Sequence, residues 1–281
     1  MEQWLFLAAI LATSMGAGAI GAILGLGGGI VLVPILTMFY GVNLRDAMGA
    51  SIISVIATSS GAAAYLRSGL SNIRIGLFLA MATVSGAFVG AGLVGLVPES
   101  VLELILGLAL AYSTLVTLRQ LNVEIPAEPR VDPLAMSFEL EGAYYDAGLD
   151  RDVKYRAARV RTGFGAMFGA GLLSGLLGIG SGAFKVLAMD YFMRLPMKVS
   201  TATSNFMIGI TAAASAGIYF HRGDLRPLIV SPVALGVLIG AYLGTRLATR
   251  LRNATLRKLF LPVIFYLAVS MILRGLGVHW P

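Results

Sequence analysis

The sequence predicts an all-α membrane protein, a polytopic bundle of transmembrane helices, from its composition and from the pattern of its apolar residues. Hydrophobic residues make up 57% of the chain and charged residues 12%, whereas soluble domains carry about 25% charged residues. Mean hydropathy is +0.84. Apolar runs long enough to cross a bilayer core of about 30 Å recur along the chain. Because these runs are continuous and do not alternate, they favour helices over a membrane barrel.

The apolar runs form two sets of five. They lie at about residues 3–24, 29–41, 47–66, 73–96, 100–118, 161–178, 182–193, 199–220, 227–248 and 257–275. The first is too long for the core of a signal peptide and no basic stretch precedes it, so we interpret it as a retained span. As helices, runs 29–41 and 182–193 would be only about 20 Å long. We therefore expect two half-helices or re-entrant arms, and eight to ten membrane segments in all.

A polar segment divides the two sets. It contains three prolines and eight acidic residues, which predicts a solvated linker. The expected organisation is a first transmembrane repeat at 1–118, the linker at 119–160 and a second transmembrane repeat at 161–281. We expect the linker to be a mobile connector. The alternative is that some of its side chains pack against the cytoplasmic mouth of the bundle: Tyr144, Tyr145, Arg156 and Arg161.

The two sets are related by an internal repeat. An offset of 153 residues places Gly25–Gly29 over Gly178–Gly182 and Ala47–Ser51 over Ser200–Ser204. An offset of 154 places Gly86–Gly90 over Gly240–Gly244. Three matched blocks in the same order and at nearly constant spacing indicate an internal duplication.

The positions of Lys and Arg predict that the two repeats are inverted in the membrane. The strongest clusters precede the second repeat and lie between its last two runs: Arg151, Lys154, Arg156, Arg159, Arg161, Arg246, Arg250, Arg252, Arg257 and Lys258. If both are cytoplasmic, loops 67–74 and 249–256 are inside and their repeat mates outside. Inverted repeats are common in secondary transporters. His221, Arg222 and Arg226 count against this orientation, since they would lie outside.

The glycine-rich loops that interrupt both repeats are the best candidates for a binding site. Glycines allow the backbone to unwind, and freed amides at a helix start attract anions. We therefore predict an anion cradle formed by Gly27, Gly28, Gly29, Gly180, Ser181 and Gly182. The alternative is close helix packing. We favour that alternative for the other prominent glycines: Gly16, Gly86, Gly90, Gly240 and Gly244.

Lys185 is the most informative charge in the sequence. It lies three residues after Gly182, inside an apolar run whose repeat mate has Leu32. An ionisable group at membrane depth is a functional candidate because its burial is costly. A cation beside amide dipoles would favour an anionic substrate or a proton-linked cycle. The alternatives are that Lys185 extends to the membrane interface or pairs with Asp190.

Polar residues begin the third segment of each repeat. They are Ser51 in the first repeat, and Thr203, Ser204 and Asn205 in the second. Their hydroxyl and amide groups are suited to binding a dehydrated oxyanion. Helix capping and hydrogen bonds between helices are the alternative roles.

Other function classes find little support in the sequence. The chain has no cysteine, no HExxH motif, no Cys/His ligand set and no nucleophile beside a base, so we predict no enzyme, metal site or cofactor. A dinucleotide-binding loop with Asp46 is discarded, because the glycine spacing is wrong and the flanking segments are membrane helices. The net charge of +7 is assigned to topogenic loops, not to nucleic-acid binding. Without a Walker motif, an ion gradient or the substrate's own gradient would drive any transport.

The motifs together resemble the TauE/SafE family of sulfite and organosulfonate exporters. The likeness rests on GAILGLGGGIVLVPIL at 21–36, DAMGAS at 46–51, GLLSGLLGIGSGAFKV at 171–186 and KVSTATSNF at 198–206. By this likeness, the second loop often carries three glycines, and here Ser181 replaces one of them. The resemblance implies an anion permease.

These observations predict a secondary carrier that exports sulfite or a small organosulfonate by alternating access. The expected partners are the small anionic substrate, a coupling proton or cation, and the lipid bilayer. We expect a multi-pass protein of a bacterial or archaeal plasma membrane, with the linker at 119–160 in the cytoplasm. Two alternatives stay open, a non-transporting membrane subunit or scaffold and a channel-like anion pore.

Overall fold

The structure is a computed structural model, and it describes residues 2–25, 27–60, 69–93, 98–119, 132–146, 150–177, 180–221, 223, 225–248, 251 and 253–278. Within these ranges the elements are α1 (Glu2–Leu24), α2 (Gly29–Phe39), α3 (Leu44–Ser60), α4 (Ile73–Gly92), α5 (Glu99–Arg119), α6 (Pro133–Ser137), β1 (Glu141–Asp146), β2 (Arg151–Arg156), α7 (Val160–Leu177), α8 (Gly182–Leu187), α9 (Met197–His221), α10 (Pro227–Ala248) and α11 (Asn253–Gly275). A π-helical turn at Ala188–Phe192 continues α8.

The chain is mostly helical, as the apolar runs predict. Each run coincides with a helix, and most helix ends fall within four residues of the predicted bounds. Four helices of the first repeat begin at residues 29, 44, 73 and 99, and their mates begin 153 or 154 residues later, at 182, 197, 227 and 253. The helix starts therefore reproduce the offset of the sequence repeat.

Helix faces rich in large apolar side chains are exposed. On α4, Leu77, Met81 and Phe88 lie on one face and each is more than half exposed. Three helices of the described chain are long and apolar enough to cross a membrane, Trp4–Leu24, Ile73–Gly90 and Pro227–Leu247. An exposed apolar surface of this kind is stable in lipid and costly in water. The protein is therefore embedded in a membrane.

Helices of one repeat pack mainly against helices of the other. The principal pairs are α1 with α10, α4 with α7, α3 with α9 and α5 with α11. The repeat mates are α1 and α7, α3 and α9, α4 and α10, and α5 and α11. If each helix is exchanged for its mate, the α1–α10 pair becomes the α7–α4 pair. The α3–α9 and α5–α11 pairs stay unchanged. The two halves are thus interleaved, and the packing has the symmetry of the duplication.

Close contacts at glycines give the direction of each pair. Gly86 faces Phe168 and Gly90 faces Leu172, so the contact advances along both helices and α4 runs parallel to α7. The α1 and α10 pair is parallel too, since Gly240 faces Met15 and Gly244 faces Ala19. The predicted packing role of these four glycines is confirmed. Gly16 differs, because no atom lies within 4 Å of the position that its Cβ would take.

The pair formed by α5 and its own repeat mate, α11, is antiparallel. A Cβ on Gly107 would lie 2.8 Å from the nitrogen of Ile272, and one on Gly275 would lie 2.9 Å from the nitrogen of Leu104. Residues nearer the C-terminus of α5 therefore contact residues nearer the N-terminus of α11. These two repeat mates therefore run in opposite directions.

The linker is not the mobile connector that its polar composition predicts. Residues 120–131 and 147–149 lie outside the described residues, but 132–146 and 150–160 fold. Asp132 caps α6 by accepting from the amide of Leu134 at 2.9 Å. Strands β1 and β2 form an antiparallel hairpin. The expectation of an all-α chain is wrong here, because the strands gain stability by docking on the bundle, which polar composition does not reveal.

Candidate functional site

The first glycine-rich loop is a true break between α1 and α2. Gly25, Gly27 and Gly28 have φ angles of 73°, 84° and 68°, in the left-handed region that glycine adopts without strain. The chain reverses there, and α2, which begins at Gly29, runs for only 11 residues. A short helix after this loop was predicted from the sequence, and the structure contains it.

The second loop has the same form with one substitution. Gly180 has a φ of 76°, and Ser181, where the first loop has glycine, has a φ of 44°. A left-handed conformation costs a residue other than glycine about 1–2 kcal/mol. Ser181 is the N-terminal residue flanking α8, and its carbonyl accepts from the amides of Phe184 and Lys185, both at 3.1 Å. Residues 178 and 179 of this loop lie outside the described residues.

The two loops meet at one side chain. The Ser204 hydroxyl donates to the carbonyl oxygen of Gly25 at 2.8 Å, and the carbonyl oxygen of Gly182 lies 3.4 Å from it. Val55 also packs against both loops. Its side chain lies 3.4 Å from the position that a Cβ would take on Gly27 and 2.9 Å from the equivalent position on Gly180. The two glycine-rich loops thus meet around Val55 and Ser204, and we call this place the loop junction.

Helices α3 and α9 bring polar side chains to the loop junction. Ser51, Ser204 and Asn205 are fully buried and lie in the interior of these helices, so they are not helix caps. The side-chain amide of Asn205 donates to the carbonyl oxygen of Ala22 at 2.7 Å, where α1 enters the first loop. The Ser51 hydroxyl lies against Gly29, at the start of α2.

Several polar atoms at the junction are buried without a hydrogen-bond partner among the described residues. They are the hydroxyl oxygens of Ser51 and Ser181 and the side-chain carbonyl oxygen of Asn205. Leaving such a group unpaired costs about 1–3 kcal/mol. Two free hydroxyl donors beside two glycine-rich loops form an environment that an oxyanion would satisfy.

Backbone amides contribute less to the junction than the glycines predict. The amide of Gly27 donates to the carbonyl of Gly21 at 3.3 Å, and that of Gly29 donates to Gly27 at 2.7 Å. The carbonyl of Gly28 accepts from two amides of the first turn of α2. In the first loop, two of the three predicted amide donors therefore have acceptors within the loop, and side-chain hydroxyls are the available donors.

Lys185 is buried at some distance from the junction. Its side chain is fully buried, and its Nζ donates to the Thr211 hydroxyl at 2.8 Å. Thr211 lies 3.4 Å from the Thr83 hydroxyl. Among the described residues no carboxylate forms an ion pair with Lys185. Extension to the interface and pairing with Asp190 are therefore both wrong.

The ammonium group and the loop junction occupy different levels of α9. Thr211 follows Ser204 by seven residues, which is about 10 Å along a helix. The two lie on the same face, since seven residues are close to two turns. The predicted site residues therefore divide into a junction with hydroxyl groups and a Lys185 cluster formed by Lys185, Thr211 and Thr83.

Thr203 faces away from the junction. Its hydroxyl accepts from the backbone amide of Asn72 at 3.1 Å, in the segment before α4. Adjacent helical residues point about 100° apart, and Thr203 lies on the side of Ser204 away from the loops. Thr203 therefore contacts the segment before α4, whose Asn72 side chain contacts the hairpin.

Sequence reasoning missed three residues of this region. Val55 separates the loops, Thr58 donates to the carbonyl of Gly27 at 3.1 Å, and Thr211 binds the Lys185 ammonium. One signal was available, because Thr58 and Thr211 are 153 residues apart and so occupy equivalent positions of the repeat. Across the described residues, no group of three or more His, Cys, Asp or Glu side chains is placed to hold a metal ion.

The sequence is similar to those of known proteins over most of its length. The sequence model of the family described as "Sulfite exporter TauE/SafE" matches residues 10–271. The "Probable membrane transporter protein YunE" of Bacillus subtilis (strain 168) is 26% identical over 268 residues, covering 92% of this chain and 95% of the relative. "Probable membrane transporter protein YdhB" of the same organism is 26% identical over 227 residues, covering 80% of this chain and 83% of the relative. No solved structure matches.

Proposed function

Because the chain belongs to the sulfite exporter TauE/SafE family and is a membrane transporter, we propose that it exports a small anion, such as sulfite or an organosulfonate, by alternating access. The observation that supports this proposal is the loop junction, where the Ser204 hydroxyl contacts both glycine-rich loops and the buried Ser51 and Ser181 hydroxyls have no acceptor among the described residues. An oxyanion offers three or more acceptor oxygens to such donors. The Ser51 and Ser181 hydroxyls would hold the anion, and Ser204, whose proton is used by the Gly25 carbonyl, would keep the two loops in place.

Lys185 supports the choice of an anion. A buried lysine without an ion-paired carboxylate among the described residues would take up a proton most readily beside a bound anion, whose negative charge would compensate its own. Its distance from the junction makes it a second station for the substrate. We propose that the anion passes between the junction and the Lys185 cluster along one face of α9, with a proton or cation as the coupling ion.

Alternating access requires two halves that can exchange roles, and we propose that the halves are inverted repeats. The antiparallel direction of α5 and α11 supports this, because mates related by an inversion run in opposite directions. The short helices α2 and α8 would then be arms of two hairpins that enter from opposite faces and meet near mid-depth. Together with the long helices they give the eight to ten membrane segments proposed from the sequence.

The same directions support one orientation. If the basic ends of α7 and α11 face the cytoplasm, the parallel α4 begins there and the antiparallel α5 ends there. Both ends of the linker then lie on that face. We propose that the protein is a multi-pass protein of a bacterial or archaeal plasma membrane, with the 119–160 linker in the cytoplasm.

Flux measurements test the proposal. Purified protein in liposomes should carry labelled sulfite, sulfoacetate or taurine faster than empty vesicles, with a rate that saturates as substrate concentration rises. A rate that never saturates would indicate the channel-like pore. If none of the three substrates crosses faster than in empty vesicles, the substrate assignment is wrong. A co-purifying partner together with absent flux would favour the non-transporting subunit or scaffold.

A further inference from the structure

The β1–β2 hairpin packs on the end of the bundle at which α9 begins. Tyr144 of β1 and Val153 of β2 are buried against the start of α9 at Val199 and Ala202. Ile23, two residues before the first glycine-rich loop, packs against the same cluster. The hairpin therefore rests on the helix that carries Ser204 and on the helix that leads into the first loop.

A buried ion pair fastens the hairpin to α9. Lys198 Nζ lies 2.8 Å from a carboxylate oxygen of Asp146, and the two side chains are only 2% and 1% exposed. The Tyr144 hydroxyl donates to the other carboxylate oxygen at 3.2 Å. Removing one member of this buried pair would leave the other charge buried without this partner, so breaking the pair should destabilise the docking of the hairpin.

Asn72 connects the hairpin to the residue beside the junction. Its side-chain amide donates to the carbonyl of Glu141 at 3.0 Å and to the Tyr155 hydroxyl at 3.1 Å. Burial raises the pKa of Tyr155, so its phenol is neutral. The backbone amide of Asn72 donates to Thr203, the neighbour of Ser204. A movement of the hairpin would therefore be transmitted through Asn72 to Thr203, which is adjacent to Ser204 of the junction.

The ion pair between Arg226 and Asp46 is more exposed than the Lys198–Asp146 pair. Arg226 Nε lies 3.0 Å from Asp46 and joins the starts of α3 and α10, but the Arg226 side chain is 68% exposed. Exposed pairs contribute little stability. The repeat mate of Lys198 is Arg45, an exposed residue.

We propose that the β1–β2 hairpin is an access gate over the loop junction, and that the Lys198–Asp146 pair is the latch that keeps it closed. The proposal rests on the transport function proposed above, since a gate matters only if a solute must reach the junction. In the closed state Val199, Ala202 and Ser204 are buried. Breaking the latch exposes the junction to the side of the membrane that carries the hairpin.

The absence of cysteine makes the gate directly testable. Ala202→Cys places a single thiol beneath the hairpin, two residues before Ser204, and its rate of modification by a charged, membrane-impermeant methanethiosulfonate is measured from the hairpin side. Tyr145→Cys, on an exposed position of β1, identifies that side. Adding Asp146→Asn should raise the modification rate of Ala202→Cys by about tenfold or more, because a broken buried pair destabilises the local structure that it holds.

Glu141→Gln is the matched control. It neutralises a carboxylate on the same hairpin, but its pair with Arg156 is exposed, so the rate should stay that of the parent. Equal rates in Asp146→Asn and the parent, or an equal rise with Glu141→Gln, would overturn the gate. If Asp146→Asn fails to fold, Lys198→Gln serves the same comparison, judged on monodisperse protein. Modification uses no substrate, so this outcome is independent of the flux test of the transport function.

Discussion

The Ser204 hydroxyl lies 2.8 Å from the carbonyl oxygen of Gly25, a residue 179 positions earlier in the chain. This contact joins α9 of the second repeat to the loop that follows α1 in the first. The Ser204 side chain therefore contributes to the contact between the two halves. Its loss should affect both the stability of the bundle and the geometry of the proposed site.

Ser204→Ala should lower the thermal stability of the detergent-solubilised protein and the rate of anion flux. The Gly25 carbonyl would be left buried without its donor, at a cost of about 1–3 kcal/mol. Ser231→Ala is the control, because the Ser231 hydroxyl is exposed and bonds only within its own helix. Thermal unfolding and liposome flux measure both effects, and a Ser204→Ala protein that matches Ser231→Ala in both would contradict the role of the contact.

Lys185→Leu should abolish anion flux while leaving the fold intact. The repeat mate of Lys185 is Leu32, so leucine already fits the equivalent position of α2. Removing a buried polar group that has no ion-paired carboxylate among the described residues relieves a burial cost, and thermal stability should stay equal or rise. Lys154→Leu, on an exposed position of β2, should keep normal flux. Unchanged flux in Lys185→Leu would remove Lys185 from the mechanism.

Two substitutions of Ser181 distinguish the strain of its backbone from the role of its hydroxyl in binding the anion. Ser181→Gly should raise stability by about 1 kcal/mol, because glycine adopts the positive φ without strain. Ser181→Ala keeps the strain and removes the hydroxyl. Both variants should raise the KM for the transported anion, since both lack the donor. A KM increase in Ser181→Ala alone would show that the hydroxyl is not a substrate contact.

Two glycines test the close packing of the interleaved halves. Gly86→Ala should lower the unfolding temperature, because its Cβ would collide with the backbone of α7 at Phe168. Gly16→Ala, with open space at its Cβ, should raise stability by about 1 kcal/mol through helix propensity alone. Thermal unfolding of the two variants side by side decides this, and a neutral Gly86→Ala would mean that α4 and α7 can separate at little cost.

Much of the fold was predictable because lipid restricts the backbone to few solutions. Continuous apolar runs predict helices, and the duplicated glycine blocks predict where helices break, at Gly25 and Gly180. The hairpin was not predictable. Its strands alternate only weakly, with Tyr144 and Asp146 buried on one and Val153 on the other, and their burial comes from docking on α9.

The candidate site was predictable in composition but not in arrangement. Ser204 and Thr203 are neighbours with similar chemistry, and only the helix register shows that Ser204 faces the loops. Lys185 was predicted to be buried, but its partner, Thr211, follows 26 residues later and is brought near only by the packing of α8 on α9. Spacing along a chain does not give such contacts unless one helix carries both residues.

The proposed inversion of the repeats predicts that two exposed positions lie on opposite faces of the membrane. Tyr145→Cys lies on the hairpin, and Asn43→Cys lies in the exposed connection between α2 and α3. If α2 returns to the face at which α1 begins, and α1 runs parallel to α10, Asn43 lies on the face opposite the hairpin. An impermeant thiol reagent should therefore label Asn43→Cys from the outside of intact cells, and Tyr145→Cys only after the membrane is opened. Labelling of both from the same face would contradict inversion, because the two halves would then enter the membrane from one side.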